Sequence, residues 1–194
     1  MIINDPVVGP LPVSGDVIEW QHVFLMSIGR CYKYRSVVFD SLSTIDDSPR
    51  RDGLVHLNNV LFSQFLIEWC KIFGANNNKI HWKKLYVSGT AVDTHYRMNQ
   101  KTFEGKMRQL LCHHAGITVA EFDKTHKSMT DARDKYAAHL DIGEVPPMPF
   151  LEIPYKVANA LTVVFGGLVG DRYHPLESYS DTFLAEISAT IVLN

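Results

Sequence analysis

The chain has 194 residues, which is long enough for one sizeable hydrophobic core. Apolar residues make up 46% of it and charged residues 21%, close to the averages for globular domains, so the composition argues against wholesale disorder. The formal net charge is −2, so the overall charge gives no indication of a polyanionic partner. We therefore predict a single folded domain over residues 1–194.

The sequence shows no pattern typical of secretion or membrane insertion. The N-terminal residues lack the basic start and apolar stretch of a secretory signal. The longest apolar-leaning run, residues 157–170, is shorter than the roughly 20 residues that span a bilayer. The cysteines at 31, 70 and 112 are isolated, which favours buried free thiols in a reducing compartment. We expect a cytoplasmic protein with no membrane partner.

The first half of the chain shows helical periodicity in two segments. Apolar residues spaced by threes, fours and sevens predict one long amphipathic helix from Asp16 to about Ile45. Residues 53–74 are apolar around most of a helical circumference, which predicts a central helix that Gly74 closes as a C-terminal cap. The polar segment 75–98 is predicted to be an irregular connection docked through three residues, Trp82, Leu85 and Tyr86.

Two further helices follow with clearer boundaries. Residues 99–115 place Phe103, Met107, Leu110 and Leu111 on one face, and Gly116 lies just beyond the end. Thr118 with Glu121 three positions later forms a capping box, so the fourth helix should begin near Val119. This helix leads into "DARDKYAAHLD", residues 131–141, and stops before Gly143.

Two more helical patterns follow the prolines at 146, 147 and 149. They cover about 153–168 and 176–192. Their β-branched content leaves strands as an alternative, but the lack of period-2 alternation favours helices. The predicted architecture is therefore an all-α, up-and-down helical bundle with short connections.

Charge is distributed unevenly along the chain. Residues 79–135 contain eleven basic side chains and six acidic ones, whereas the residues from 140 onward contain two basic and seven acidic ones. This asymmetry permits a basic surface for a polyanion, although a solvated surface of mixed charge is the more common explanation.

The segment 131–141 carries the residue types that phosphoryl-transfer chemistry needs. Arg133 can bind phosphate oxygens through charge-assisted hydrogen bonds, and His139 can give or take a proton near neutral pH. Together they suit RNA transesterification, which requires no metal. Six positions on an α-helix separate them by roughly 120° in azimuth, so either Arg133 reaches along the helix or a second chain supplies the partner group.

A structural interpretation of the same residues is also open. Arg133 could form a surface ion pair with an acid such as Asp134, and His139 could interact favourably with the C-terminal end of the helix dipole. Neither role involves a substrate.

The run from Arg133 and Asp134 to His139 resembles the R-polar-x-H signature of HEPN domains, a superfamily named for higher-eukaryote and prokaryote nucleotide binding. Its place at the end of a long helix in an all-α chain is similar to the pattern of that family. Together with residues 52–74 it resembles the branch associated with phage abortive infection. The resemblance covers residues 16–141, so it implies a HEPN-type core there and a C-terminal helical extension, residues 142–194, packed on it.

The resemblance also implies a function. HEPN domains commonly dimerise with both signatures in one cleft, and many are metal-independent endoribonucleases of prokaryotic defence or toxin–antitoxin systems. Arg133 would clamp the phosphate, Asp134 would orient the guanidinium and His139 would transfer the proton, while Lys135 and Tyr136 would contact RNA or simply lie at the surface.

The partners implied are RNA, a second copy of the chain, and an antitoxin or nucleotidyltransferase-like protein. Since many members of the superfamily are inactive, the alternative is a catalytically silent helical module for dimerisation, nucleotide binding or protein interaction.

Nine histidines raise the question of a metal site. His113 and His114 are adjacent, so they point about 100° apart on a helix and cannot chelate one ion in the usual i, i+4 manner. The other histidines form no HxxxH or HExxH pattern. We predict neither a metal nor another cofactor.

Overall fold

The computed structural model describes residues 2–5, 9–45, 49–88, 98–136, 149–169 and 172–192. Within these ranges the chain forms six α-helices, two 3-10 helices and one antiparallel pair of strands. The α-helices are α1 (Gly15–Leu42), α2 (Pro49–Phe73), α3 (Gln100–Ala115), α4 (Val119–Tyr136), α5 (Glu152–Val169) and α6 (Ser180–Val192). The predicted all-α class is confirmed.

A small hairpin precedes the helices. Strand β1 (Ile2–Asp5) pairs antiparallel with β2 (Gly9–Pro12), with Ile2 opposite Pro12 and Asp5 opposite Gly9. The helical patterns of the sequence do not predict this hairpin.

Helices α1 and α2 form an antiparallel pair. Lys71 Nζ, near the end of α2, lies 4.6 Å from the ring centre of Phe24 near the start of α1. Further along α1, the guanidinium carbon of Arg35 lies 5.6 Å from the ring centre of Phe62, which is earlier in α2 than Lys71. The long first helix predicted from the sequence is confirmed, with the Ser14 side chain accepting a hydrogen bond from its first turn.

Helix α2 ends directly before Gly74, as predicted, but it begins earlier than predicted and Gly74 is not a left-handed cap. It begins at Pro49 rather than Gly53, since proline suits a first helical position where no N–H partner is required. Gly74 lacks the positive φ of a left-handed cap. Its N–H instead donates to the Cys70 carbonyl at 3.0 Å, and an added Cβ would lie 2.5 Å from that oxygen. Glycine is therefore favoured at 74 because the backbone of Cys70, in the last turn of the same helix, leaves no room for a Cβ.

The connection after α2 docks on the bundle as predicted. Trp82 and Leu85 are buried in the 3-10 helix Trp82–Leu85, and Tyr86 is half-buried. The carbonyl of Leu85 accepts the N–H of Ser14 at 2.8 Å, which ties the connection to the start of α1.

Helices α3 and α4 are separated by the tight turn that the sequence predicts. Gly116 ends α3 with φ +65° and ψ +35°, in the left-handed region. The Thr118 N–H donates to the Glu121 carboxylate at 2.7 Å and the Glu121 N–H donates to Thr118 Oγ1 at 3.2 Å, so the capping box is confirmed. The predicted apolar face of α3 is buried at Phe103, Met107, Leu110 and Leu111.

The segments after residue 150 are helices and not strands. Helix α5 packs on α1, α3 and α4, and the Trp69 indole N–H of α2 donates to the Pro154 carbonyl in its first turn at 3.0 Å. Helix α6 begins at Ser180, after a 3-10 helix at Leu176–Tyr179, and packs on α1. None of the helices within the described ranges has both the length and the apolar character needed to cross a membrane.

Candidate functional site

The predicted signature begins in the last turn of α4, where Arg133 and Asp134 are in contact. Arg133 Nε and Nη2 donate to Asp134 Oδ1 at 2.8 and 2.5 Å. The side chain of Arg133 is 30% exposed and that of Asp134 is 64% exposed. The adjacent carboxylate therefore holds the guanidinium at the surface, where a ligand in solution can reach it.

The buried side of the same turn packs on α2. Met129 and Ala132 are buried, and the Cys70 thiol donates to the Met129 carbonyl at 3.6 Å. Burial raises the pKa of Cys70 to about 12, with the Arg133 charge opposing the rise and Asp134 adding to it. Cys70 is therefore a neutral thiol beside the candidate site and not an activated nucleophile.

The remaining residues of the signature are placed less completely. Lys135 is exposed, and Tyr136 is the last residue of α4, with a side chain outside the described set. Residues 137–148, including His139, lie outside the described residues. The structure brings Arg133 and Asp134 together, and the contact between Arg133 and His139 stays a prediction.

The charges of α4 are balanced. The helix contains four basic and four acidic residues, and Lys127 Nζ lies 2.6 Å from Asp131 Oδ2 one turn before the Arg133–Asp134 pair. The excess of basic residues over 79–135 therefore belongs to other elements. The exposed side of α4 is a surface of mixed charge rather than a basic stripe.

A second feature lies towards the other end of α4 and is not predicted from the sequence. A cavity of about 460 Å³ lies between the end of α2, the 3-10 helix Trp82–Leu85, α3 and the first half of α4. Charged side chains from three segments line it, among them Lys83, Lys101, Arg108 and Asp123. The local signal was the density of basic residues over 79–108, but no spacing rule indicates that they share a wall.

His81 is the buried polar residue of this cavity. Its Nδ1 accepts the N–H of Lys83 at 3.2 Å, and its Nε2–H donates to the Gly74 carbonyl at 3.1 Å. Burial lowers the pKa of His81 to about 4. His81 is therefore neutral near pH 7 with both ring nitrogens occupied, so it supports the cavity wall and is not available for proton transfer.

The described part of the chain contains no group of three His, Cys, Asp or Glu side chains placed to hold a metal ion. In comparisons with known proteins, no protein-family model, no curated protein and no solved structure matches the chain.

Proposed function

We propose that this chain is a metal-independent endoribonuclease of a prokaryotic defence or toxin–antitoxin type that acts as a homodimer. The observation that carries the proposal is the pair formed by Arg133 and Asp134 at the end of α4. Both guanidinium contacts go to the same carboxylate oxygen. The other N–H groups of Arg133 have no acceptor among the described residues, so they are available to a phosphate, which arginine binds through charge-assisted and often bidentate hydrogen bonds.

The proposed reaction is the transesterification of RNA. The 2′-hydroxyl oxygen attacks the adjacent phosphorus, so the O2′–P bond forms and the P–O5′ bond breaks, which gives a 2′,3′-cyclic phosphate and a free 5′-hydroxyl. His139 removes the proton from the 2′-hydroxyl and returns a proton to the leaving O5′. Arg133 stabilises the negative charge of the phosphorane, and Asp134 keeps the guanidinium oriented.

The second chain is part of the proposal because of helix geometry. On a helix that continued to His139, the six positions from Arg133 would separate the two side chains by roughly 120° in azimuth, and they would not share a face. In a two-fold dimer, Arg133 of one protomer and the partner's His139 could meet in a cleft and form two equivalent sites.

The first test is RNA cleavage in the presence of EDTA. His139→Ala and Arg133→Ala should each reduce the rate by roughly 10²–10⁴-fold, the usual contribution of a proton-transfer or charge-stabilising group. Lys127→Ala, which removes an exposed cation of the same helix, is the matched control and should retain cleavage. Cleavage that survives His139→Ala, or that chelator abolishes in the unmodified chain, would contradict the mechanism.

The second test mixes two inactive variants. If each site takes Arg133 from one protomer and His139 from the other, mixing Arg133→Ala with His139→Ala restores one complete site per mixed dimer, about a quarter of the original activity. If both residues act within one chain, the mixture stays inactive. A dimer that leaves RNA intact would instead support the catalytically silent interaction module, with which the balanced charge of α4 agrees.

A further inference from the structure

Two exposed phenylalanines lie beside the same hollow, between the second half of α1 and the start of α5. Phe39 of α1 is 62% exposed, and Phe150, just before α5, is 94% exposed. Both line a hollow of about 300 Å³ together with Tyr32, Arg35 and Asp40, and we call these five residues the aromatic patch. Single exposed apolar residues are common, but exposed phenylalanines beside one hollow are typical of a surface that another molecule covers.

The aromatic patch also carries one cation and one anion that form no ion pair with any described residue. Arg35 is half-buried over the ring of Phe62, and Asp40 is exposed. The Nε of Arg35 is buried, so its Nη groups are the donors that another molecule can reach. Glu152, which also lines the hollow, is already paired with Lys156 at 2.7 Å. The patch therefore offers one unpaired charge of each sign.

A surface with an apolar centre and one unpaired charge of each sign is complementary to itself. In a two-fold interface the same surface of both chains is in contact, so every contact between two different residues occurs twice. Arg35 of one protomer would face the partner's Asp40, and the reverse pair would form across the axis. A surface with an excess of one sign would instead repel its own copy. The charges of the patch therefore favour a second copy of this chain as the molecule that covers it.

The direction of α4 fixes where Arg133 lies along the bundle. The Cys70 thiol donates to the Met129 carbonyl, and His126 Nε2 lies 3.4 Å from the Gly74 carbonyl oxygen. The residue numbers rise along α4 as they fall along α2, so the two helices are antiparallel. Arg133 therefore lies about one turn beyond Met129, towards the start of α2.

We propose that the aromatic patch is the surface through which two copies of this chain dimerise. Arg35 contacts Phe62, which precedes Cys70 in α2, so the patch and Arg133 lie towards the same end of the bundle. A two-fold axis through the patch therefore lies towards the end of the molecule where the proposed reaction requires a partner chain. The inference rests on the proposed function for that requirement, whereas the exposed phenylalanines and the unpaired charges are independent of it.

The first test is sedimentation equilibrium of the full chain. Phe150→Glu should weaken dimerisation by roughly 30-fold or more, as for the loss of an aromatic side chain at the centre of an interface. Phe150 is almost fully exposed, so this variant should fold normally. Trp20→Glu is the matched control, since Trp20 is 64% exposed near the other end of α1, and it should leave the dimer unchanged. A chain that is monomeric at every concentration, or equal dimerisation of the two variants, would overturn the proposal.

The second test exchanges the charges of the patch. Arg35→Glu and Asp40→Lys should each weaken the homodimer, because like charges then face each other on both sides of the axis. An equal mixture of the two variants should form a mixed dimer, since every cation then faces an acid. A mixture that dimerises no better than either variant alone would overturn the pairing and with it the two-fold axis through the patch.

Sedimentation requires no RNA, so this proposal and the proposed reaction fail separately. If Phe150→Glu is a monomer and the unmodified dimer leaves RNA intact, the surface is supported and the reaction is wrong. If the unmodified dimer cleaves RNA and Phe150→Glu remains a fully active dimer, the surface is wrong and the reaction is supported. A monomeric Phe150→Glu chain that has also lost cleavage would support both.

Discussion

Two glycine-to-alanine substitutions on the same helix should change stability in opposite directions. Gly105 lies inside α3 and Gly116 ends it, and an added Cβ would meet nothing within 4 Å at either position. The difference is the backbone, because Gly116 has φ +65° and Gly105 is helical. Neither substitution therefore adds a steric contact, so backbone conformation decides whether stability rises or falls.

The magnitudes follow from conformation alone. A residue with a Cβ in the left-handed region costs about 1–2 kcal/mol, and the lower entropy of the unfolded alanine chain offsets part of this cost. Gly116→Ala should therefore lower the free energy of unfolding by about 1 kcal/mol. Gly105→Ala should raise the free energy of unfolding by about 0.5–1 kcal/mol, since glycine has a low helix propensity. The two variants should differ by roughly 3–8 °C in Tm, at about 2–4 °C per kcal/mol for a chain of this size.

The assay is thermal unfolding followed by calorimetry and far-UV circular dichroism, with Gly116→Asn as a third variant. Asparagine tolerates the left-handed region, so it should cost less than alanine. The reasoning is refuted if Gly116→Ala is as stable as the unmodified chain, because the turn that sets the angle between α3 and α4 would then not be left-handed in solution.

Two further predictions concern the cap of α4 and the thiols. Thr118→Ala should lower Tm by roughly 2–4 °C in the same unfolding assay, as for other lost caps. The hydrogen bonds from Thr118 lower the pKa of Glu121 in the folded protein. They therefore stabilise the fold above the unfolded-state pKa of about 4.3, and this stabilisation is lost as pH falls through the folded-state pKa. The loss of Tm caused by Thr118→Ala should therefore become smaller in acid. A loss that becomes larger would contradict the contact between Thr118 and the Glu121 carboxylate. Burial raises the pKa of Cys31 and Cys70 to about 12 and also raises that of Cys112, so a disulfide reagent should label all three slowly until urea unfolds the chain. Rapid labelling of Cys70 in the folded protein would show that α4 does not cover it.

The parts of the fold that could be predicted are those fixed by neighbouring residues. The capping box of Thr118 and Glu121 and the left-handed glycine at 116 are local interactions, and their signals all lie within residues 116–121. The start of α2 was predicted wrongly because proline gives an ambiguous signal: it can follow one helix or begin the next. The sequence pattern cannot choose between these roles without the packing of the first turn.

The same distinction applies to the sites. Arg133 and Asp134 are neighbours in sequence, so their contact could be anticipated from the segment that contains them. The cavity could not, since its ion pairs join Lys83 to Glu104 and Arg108 to Asp123 across separate segments. Periodicity identifies the buried face of each helix, but it does not say which charged residues of the exposed faces meet.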